Sequence, residues 1–153
     1  MQKKDHRQKN YTVGLIQMSV SANTGQNIKK AVDRIGIAAK KGAEVICLPE
    51  LFSSQYFCQT EETAFFDLAE PIPGPTTKIF SAAAKKYHAA LIVPIFERRA
   101  SGVYHNSAAV IDADGSLIGV YRKMHIPDDP AFYEKFYFTP GDLGFTPIRT
   151  SVG

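Results

Sequence analysis

The chain has 153 residues, of which 44% are hydrophobic and 22% charged, and a formal net charge of +3. This length and composition are typical of a soluble globular domain with a sizeable core. The charge does not indicate a nucleic-acid partner, because the first ten residues carry the whole excess of basic residues and the remainder is balanced.

Residues 1–10 are predicted to form a flexible basic tail, since they lack the apolar segment of a secretory signal. The sequence contains no run of about 20 apolar residues, the length that a membrane span needs. Its cysteines, Cys47 and Cys58, are too few for a disulfide scaffold and do not have metal-ligand spacing. We therefore predict a cytoplasmic location, in a reducing compartment, and no membrane partner.

The elements that follow alternate between strands and helices. A helix is predicted to begin at Asn23 or Thr24 and to end at the Lys40-Lys41-Gly42 stop. Further along, Asp112-Ala113-Asp114-Gly115 is a hairpin turn signal. Strands are predicted over residues 11–18, 45–48, 90–96, 104–111 and 117–121, and a second helix over 76–87. This order predicts an α/β layered fold with a mixed sheet.

The C-terminal part of the chain has a different character. Residues 123–139 show no regular period and are rich in aromatic and charged side chains, which is more typical of a functional segment than of an idle loop. Residues 145–152 then begin as another strand. The four histidines are scattered along the chain, so no metal site is predicted.

Two residues at predicted strand ends are candidates for chemistry. Glu50 follows an apolar strand at its carboxyl end, where α/β folds commonly place their sites, and a carboxylate against apolar walls is suited to act as a general base. Lys123 ends the strand LIGVYRK, and its ammonium is suited to stabilising an oxyanion. Considered alone, either side chain is better explained as a solvated surface charge.

A third candidate, Glu134, lies among aromatic residues in FYEKF. A carboxylate in such surroundings is often paired with a cation, and Lys123 is the candidate partner. The cysteines are weak candidates for a nucleophile. Cys47 lies inside an apolar strand, where cysteine usually serves as a small buried hydrophobe, and Cys58 follows an aromatic loop.

The segments LPELFSSQYFCQ (48–59), YHNSAAVIDADG (104–115) and YRKMHIPDDPAFYEKFYFTPGDLGF (121–145) resemble the nitrilase superfamily of carbon–nitrogen hydrolases. The resemblance runs from about residue 11 to the end, and the third segment is most similar to the branch that acts on N-carbamoylputrescine. It implies the N-terminal half of a four-layer α-β-β-α sandwich. Residues 11–153 would then be an incomplete carbon–nitrogen hydrolase domain that ends before the nucleophilic cysteine.

The resemblance also implies roles for the candidate residues. Glu50 matches the general base, Lys123 the oxyanion stabiliser and Glu134 the second glutamate. Asp128, Asp129 and Tyr133 lie in the segment expected to bind the terminal ammonium of the substrate, although Asp128 and Asp129 are equally consistent with a solvated turn. The implied reaction releases putrescine, ammonia and carbon dioxide without a metal or organic cofactor.

The same resemblance sets the expected partners and the alternatives. This chain alone is expected to be inactive and to need a homo-oligomer or a complementing C-terminal half. Half a sandwich leaves strand edges and an apolar face uncovered. One alternative is a non-catalytic interaction fragment, and another is a related hydrolase acting on a different carbamoyl or amide substrate.

Overall fold

The computed structural model describes residues 10–153, so residues 1–9 of the predicted basic tail lie outside the described part of the chain. Within that part, strands and helices follow one another in the predicted order. The strands are β1 (Val13–Leu15), β2 (Val45–Cys47), β3 (Ala90–Ala100), β4 (Val103–Ile111) and β5 (Leu117–Arg122); the helices are α1 (Thr24–Lys40), α2 (Pro75–Tyr87) and α3 (Glu134–Tyr137), with a 3₁₀ helix at Thr63–Leu68.

The strands form a mixed sheet in the order β1-β2-β3-β4-β5. β1, β2 and β3 are parallel, and β3, β4 and β5 are antiparallel neighbours. This arrangement confirms the predicted α/β class with a mixed sheet. β3 is longer than predicted because it continues to Ala100 and turns into β4 through Gly102, whose φ of 75° suits glycine.

The predicted ends of α1 are confirmed. The Asn23 side chain accepts a hydrogen bond from the backbone N–H of Gln26 at 2.9 Å and caps the first turn. The helix ends at Lys40, and Gly42 follows with a φ of 90°. Along its length Ala31 and Ile35 are fully buried, because they lie on the face that packs against the sheet.

The two faces of the sheet are unequally covered. Side chains alternate between faces along a strand. On one face, α1 and α2 enclose a core that includes Ile46, Leu91, Val93, Ala109 and Ile111. On the other face, the edge strand β1 exposes Val13 by 50% and Leu15 by 79%. The described chain therefore consists of one sheet with helices on one side, and its other face is largely open.

A second cluster of buried side chains lies at the far end of the sheet. The Phe57 ring contacts those of Phe96 on β3 and Tyr137 on α3, with centroid distances of 5.1 and 4.9 Å. Leu51, Cys58, Ala69, Ile126 and Phe138 complete the cluster. It holds the loop after β2 and the segment after β5 against the end of β3, and so places α3 next to residues 50–58.

The prediction of a strand over residues 145–152 is wrong. The segment is irregular and lies over the open sheet face, with the Phe145 ring 6.3 Å from that of Tyr121. The N–H and Oγ of Ser151 donate to the Asp112 carboxylate, so a side chain holds this segment where a strand ladder was expected. Pro147 also lacks the N–H that a ladder would use.

Candidate active site

The structure brings Glu50, Lys123 and Glu134 together from three separate parts of the chain. The Lys123 ammonium donates to Glu50 Oε1 at 3.1 Å and to Glu134 Oε2 and Oε1 at 2.8 and 3.2 Å. The predicted pairing of Lys123 with Glu134 is confirmed. A carboxylate and an ammonium therefore lie side by side. The carboxylate can accept and return a proton, and the ammonium can donate a hydrogen bond to an oxyanion.

Glu50 is positioned by the end of β2. Leu51, the next residue, has a left-handed φ of 49° and is buried, so the chain turns sharply directly after the carboxylate. The Glu50 side chain is 52% exposed, which corrects the expectation of a carboxylate enclosed by apolar walls. The reason is that Glu50 lines a groove open to the uncovered sheet face. Asn106 Nδ2 donates to Glu50 Oε1 at 2.7 Å.

Lys123 follows the last residue of β5. Its backbone N–H donates to the Asn106 carbonyl and its own carbonyl accepts from the Gly141 N–H, each at 2.8 Å. Burial by itself would lower the pKa of Lys123, but hydrogen bonds and charge from Glu134 and Glu50 outweigh burial and raise that pKa. The side chain is therefore a permanent cation near neutral pH and is suited to be a donor, not a base.

Glu134 is the first residue of α3 and the most enclosed member of the cluster, with a side chain only 4% exposed. The Tyr56 hydroxyl donates to its Oε1 at 3.0 Å. Burial, followed by the hydrogen bond to Glu134 and then its charge, raises the pKa of Tyr56, so the phenol keeps its proton and remains a donor. A buried carboxylate requires such partners, and Lys123 and Tyr56 supply them.

Glu50 and Lys123 line an open groove, whereas the buried Glu134 contacts Lys123 from behind. The groove has a volume of about 280 Å³. Its walls include Cys47, Ile92, Pro94, Ala108 and Tyr121, all on the uncovered face of the sheet, together with Glu50 and Lys123. The groove is therefore apolar on its floor and charged at one end, and it opens on the sheet face that carries no helix among residues 10–153.

Neither cysteine of the chain is suited to act as a thiolate. Cys58 is fully buried, and burial followed by the Glu134 charge raises its pKa to about 12. Burial also raises the pKa of Cys47 on β2. Since the thiolate is the reactive form, both side chains are expected to remain unreactive thiols at neutral pH.

The chain matches one protein-family model, carbon–nitrogen hydrolase, over residues 12–153. The chain belongs to the carbon–nitrogen hydrolase family. It is 45% identical to a citrullinase of Francisella tularensis over 137 residues, covering 89% of this chain and 48% of that protein. It is 43% identical to an N-carbamoylputrescine amidase of Oryza sativa over 140 residues, covering 91% and 46% of the two chains.

A solved structure agrees with this family assignment. The fold matches the crystal structure of a carbon–nitrogen hydrolase from Helicobacter pylori with a TM-score of 0.89 and 50% sequence identity, over 94% of this chain and 49% of that one. The nitrilase-superfamily fold expected from the sequence is thereby confirmed. The chain spans about half the length of the relatives it matches.

This carbon–nitrogen hydrolase chain also contains a charge network, centred on the buried pair of Glu97 and Arg122, that sequence reasoning missed. Arg122 donates to both oxygens of Glu97, from Nε at 2.8 Å and from Nη2 at 2.6 Å, and Ser107 donates to Glu97 at 2.6 Å. Asp142 accepts from Arg122 and Arg99. These contacts anchor β5 one residue before Lys123. The sequence offers little sign of this network, because Glu97 and Asp142, the partners of Arg122, lie far from it along the chain. The one available signal was that Arg122 directly precedes Lys123.

Charge pairing within the network shifts the pKa values of its members in the directions expected for ion pairs. Burial opposes ionisation of Glu97, but the hydrogen bonds from Arg122 and Ser107 outweigh it and lower the Glu97 pKa. Hydrogen bonds from Arg122 and Arg99 lower the pKa of Asp142 to about 2. Glu97, Arg122 and Asp142 are therefore ionised at neutral pH.

The predicted substrate-binding residues lie in the loop before α3. The Asp128 carboxylate is 4.0 Å from Lys135 Nζ, and both side chains are well exposed. Asp129 pairs through its backbone with Phe132, and the Tyr133 N–H donates to the Cys58 carbonyl. Among residues 10–153, neither aspartate side chain forms a hydrogen bond or ion pair with Glu50, Lys123 or Glu134.

No helix in the described part of the chain is long and apolar enough to cross a membrane. Likewise, no group of three or more histidine, cysteine, aspartate or glutamate side chains between residues 10 and 153 is arranged to hold a metal ion.

Proposed function

We propose that the complete protein hydrolyses the carbamoyl group of an N-carbamoyl amine, with N-carbamoylputrescine as the leading substrate. The observation that carries this proposal is the Lys123 ammonium held between the carboxylates of Glu50 and Glu134 at the edge of an open groove. The substrate class is supported by the names of the relatives, which include a citrullinase and several N-carbamoylputrescine amidases at 40–45% identity.

Each side chain has a role that fits its surroundings. Glu50 is half exposed at the groove and is the proposed general base. Lys123 has three N–H donors and contacts three carboxylate oxygens, so an oxyanion is proposed to take over the donor of the longest contact, the one to Glu134 Oε1 at 3.2 Å. Glu134 is buried behind Lys123 and is proposed to hold the ammonium in position.

The reaction proceeds by covalent catalysis. Glu50 takes the proton of a cysteine thiol, and the thiolate attacks the carbamoyl carbon. The oxyanion that forms accepts from Lys123. Ammonia then leaves with a proton returned by Glu50, and a thiocarbamate ester remains on the sulfur. Water, deprotonated by Glu50, attacks this ester and restores the thiol. The released carbamic acid loses carbon dioxide and yields the free amine.

We propose that the nucleophilic cysteine comes from outside residues 1–153. Cys47 and Cys58 have raised pKa values that make them poor thiolates. The chain spans about half of its relatives, and its groove opens on an uncovered sheet face. Residues 11–153 are then the N-terminal half of the hydrolase domain, and this half alone is inactive.

Activity and mass together test the proposed function. A tag placed before residue 11 allows the protein to be purified from its source cells as it occurs there, with its intact mass recorded. Ammonia release is then measured with N-carbamoylputrescine, citrulline and a simple linear amide. Preference for N-carbamoylputrescine supports the leading proposal, whereas preference for citrulline supports the second candidate, which rests on the 45% identity to a citrullinase.

Two further outcomes of that experiment have clear meanings. A folded protein that releases no ammonia from any of the three compounds, even in its native assembly, would overturn the hydrolase proposal. The non-catalytic interaction fragment would then be the remaining alternative. Treatment with a substrate-like chloroacetamide, followed by peptide mass spectrometry, locates the nucleophile. A label on Cys47 or Cys58 would contradict the proposed origin of the nucleophilic cysteine.

We further propose that Asp128, Asp129 and Tyr133 bind the terminal ammonium of the substrate. The support is their position in the loop directly before Glu134 and the exposure of both carboxylates. In the complete enzyme, the double variant D128N/D129N is expected to raise KM for N-carbamoylputrescine about tenfold with little change in kcat, because it removes charge that acts on binding alone. An unchanged KM would remove both aspartates from the site.

The open sheet face supports a proposal about partners. Covering it requires either a complementing C-terminal half or a second copy of the chain, because Leu15 and Val13 present an apolar edge to water. Light scattering on the isolated 153-residue chain is expected to show self-association that disappears when the complementing half is present. A monodisperse monomer near 16.9 kDa would contradict this expectation.

A further inference from the structure

Asn106 is a buried residue that is hydrogen-bonded to both residues of the cluster that line the groove, to the Glu50 carboxylate through its side chain and to the Lys123 backbone through its own backbone. It lies on β4 and is only 5% exposed. Its Nδ2 donates to Glu50 Oε1 at 2.7 Å, and its backbone carbonyl accepts from the Lys123 N–H at 2.8 Å. Asn106 therefore links the ends of β2 and β5, whose functional residues are 73 positions apart in sequence.

The hydrogen bonds on Glu50 are unevenly shared between its two oxygens. Oε1 accepts from Asn106 at 2.7 Å and from Lys123 at 3.1 Å. Oε2 accepts from no residue between 10 and 153. A carboxylate that is half exposed and held by one flexible lysine would rotate among several orientations. The rigid, buried amide supplies a second fixed point, which makes the two oxygens different from each other.

We infer that Asn106 is a positioning residue that holds Glu50 by Oε1 and thereby makes Oε2 the oxygen that takes and returns the proton. This inference rests on the proposed function, because it assigns an atom to the proposed base. Asn106 contacts neither substrate nor the reacting thiol in this assignment. It acts through Glu50, and through its backbone it also keeps Lys123 in register with Glu50.

A purely structural role for Asn106 predicts different behaviour. A buried amide that only satisfies its own polar atoms would contribute to stability and would affect catalysis no more than any other buried amide. Asn27 provides the matched control. It is fully buried on α1 and hydrogen-bonded through both side-chain atoms to Ser21 and to the Ser53 carbonyl, without touching the cluster.

The test compares N106A with N27A in the complete enzyme. Both variants are expected to lower the Tm. Only N106A is expected to lower kcat, by about 10- to 100-fold with KM within about twofold, because misplacing the base affects the chemical step and not binding. In an E50Q background, N106A is expected to cause no further loss, since the group through which it acts is already gone. Equal loss of kcat in both backgrounds, or equal effects of N106A and N27A, would overturn the inference.

A measurement on the 153-residue chain separates this inference from the proposed function. Carbon-13 relaxation of the labelled Glu50 side chain is expected to show an ordered carboxylate in the wild type and N27A and a disordered one in N106A. If Glu50 is equally ordered in N106A, the positioning role is wrong whatever the activity. If the complete protein hydrolyses none of the compounds, the proposed function fails, and the role of Asn106 as a support for Glu50 is then decided by relaxation alone.

Discussion

Replacing Lys123 by glutamine is expected to reduce kcat/KM of the complete protein in the proposed hydrolysis by at least about 100-fold. The substitution removes the only cation that contacts Glu50 and Glu134 among residues 10–153, and with it the proposed donor to the oxyanion. Loss of one such donor in other hydrolases costs about 10²- to 10³-fold in rate. K78Q is the matched control, because Lys78 is an exposed lysine on α2 far from the cluster, and its activity is expected to equal that of the wild type.

The same substitution has a stability effect that can be measured on the 153-residue chain. K123Q leaves the buried Glu134 carboxylate with Tyr56 as its remaining partner, which is expected to destabilise the fold by about 3 kcal/mol. The double variant K123Q/E134Q removes the stranded charge and is expected to recover most of that loss in denaturant unfolding. Additive effects of the two substitutions would show that the ion pair is not energetically coupled.

Replacing Glu97 by alanine is expected to destabilise the chain by about 3–5 kcal/mol, more than any other single substitution of a buried charged residue. Glu97 is 3% exposed and Arg122 12%, so the substitution leaves a guanidinium in a site that excludes most water. For a chain of this size the loss corresponds to a fall in Tm of about 10 °C. Thermal unfolding of the 153-residue chain, followed by far-UV circular dichroism, measures it directly.

The neighbouring Arg98 offers the control for this experiment. It lies on the same strand but is exposed, and R98A is expected to change stability by less than about 0.5 kcal/mol. The double variant E97L/R122M tests the cause. Replacing both charges by apolar groups of similar size is expected to be far less damaging than E97A alone, because no unpaired charge remains. A Tm for E97A within 2 °C of the wild type, in the R98A range, would contradict the assigned role of the pair.

The network around Arg122 also explains why the lysine is held so firmly. Arg122 is fixed on one side by Glu97 and on the other by Asp142, and the Gly141 N–H closes onto the Lys123 carbonyl. A side chain at Gly141 has no room, since a Cβ there would lie 2.1 Å from the Arg122 carbonyl oxygen. The segment after α3 is thus fastened to the residue next to the proposed oxyanion donor.

The sequence alone predicted the two long helices and the five strands, and it provided Glu50, Lys123 and Glu134 as candidates for the chemistry. Helix α1, with its Asn23 cap and glycine stop, follows from apolar spacing and capping rules that act within a few residues. Glu50 and Lys123 were recognisable because each directly follows an apolar strand. The resemblance carried by residues 121–145 identified the family, and the matching family model and related proteins confirm it.

Only the tertiary structure decided how these groups are arranged. Glu50 meets Asn106 and Lys123, and Glu97 meets Arg122, across segments that are distant in sequence, and such contacts leave no periodic pattern to read. Asn106 was therefore not predicted as a site residue, although it lies in residues 104–115, one of the segments that resemble the family. The expected strand at 145–152 failed for the same reason, because its backbone is held by the Asp112 side chain and not by a neighbouring strand. Local propensity determines the elements, whereas burial and long-range hydrogen bonding determine which of their side chains meet.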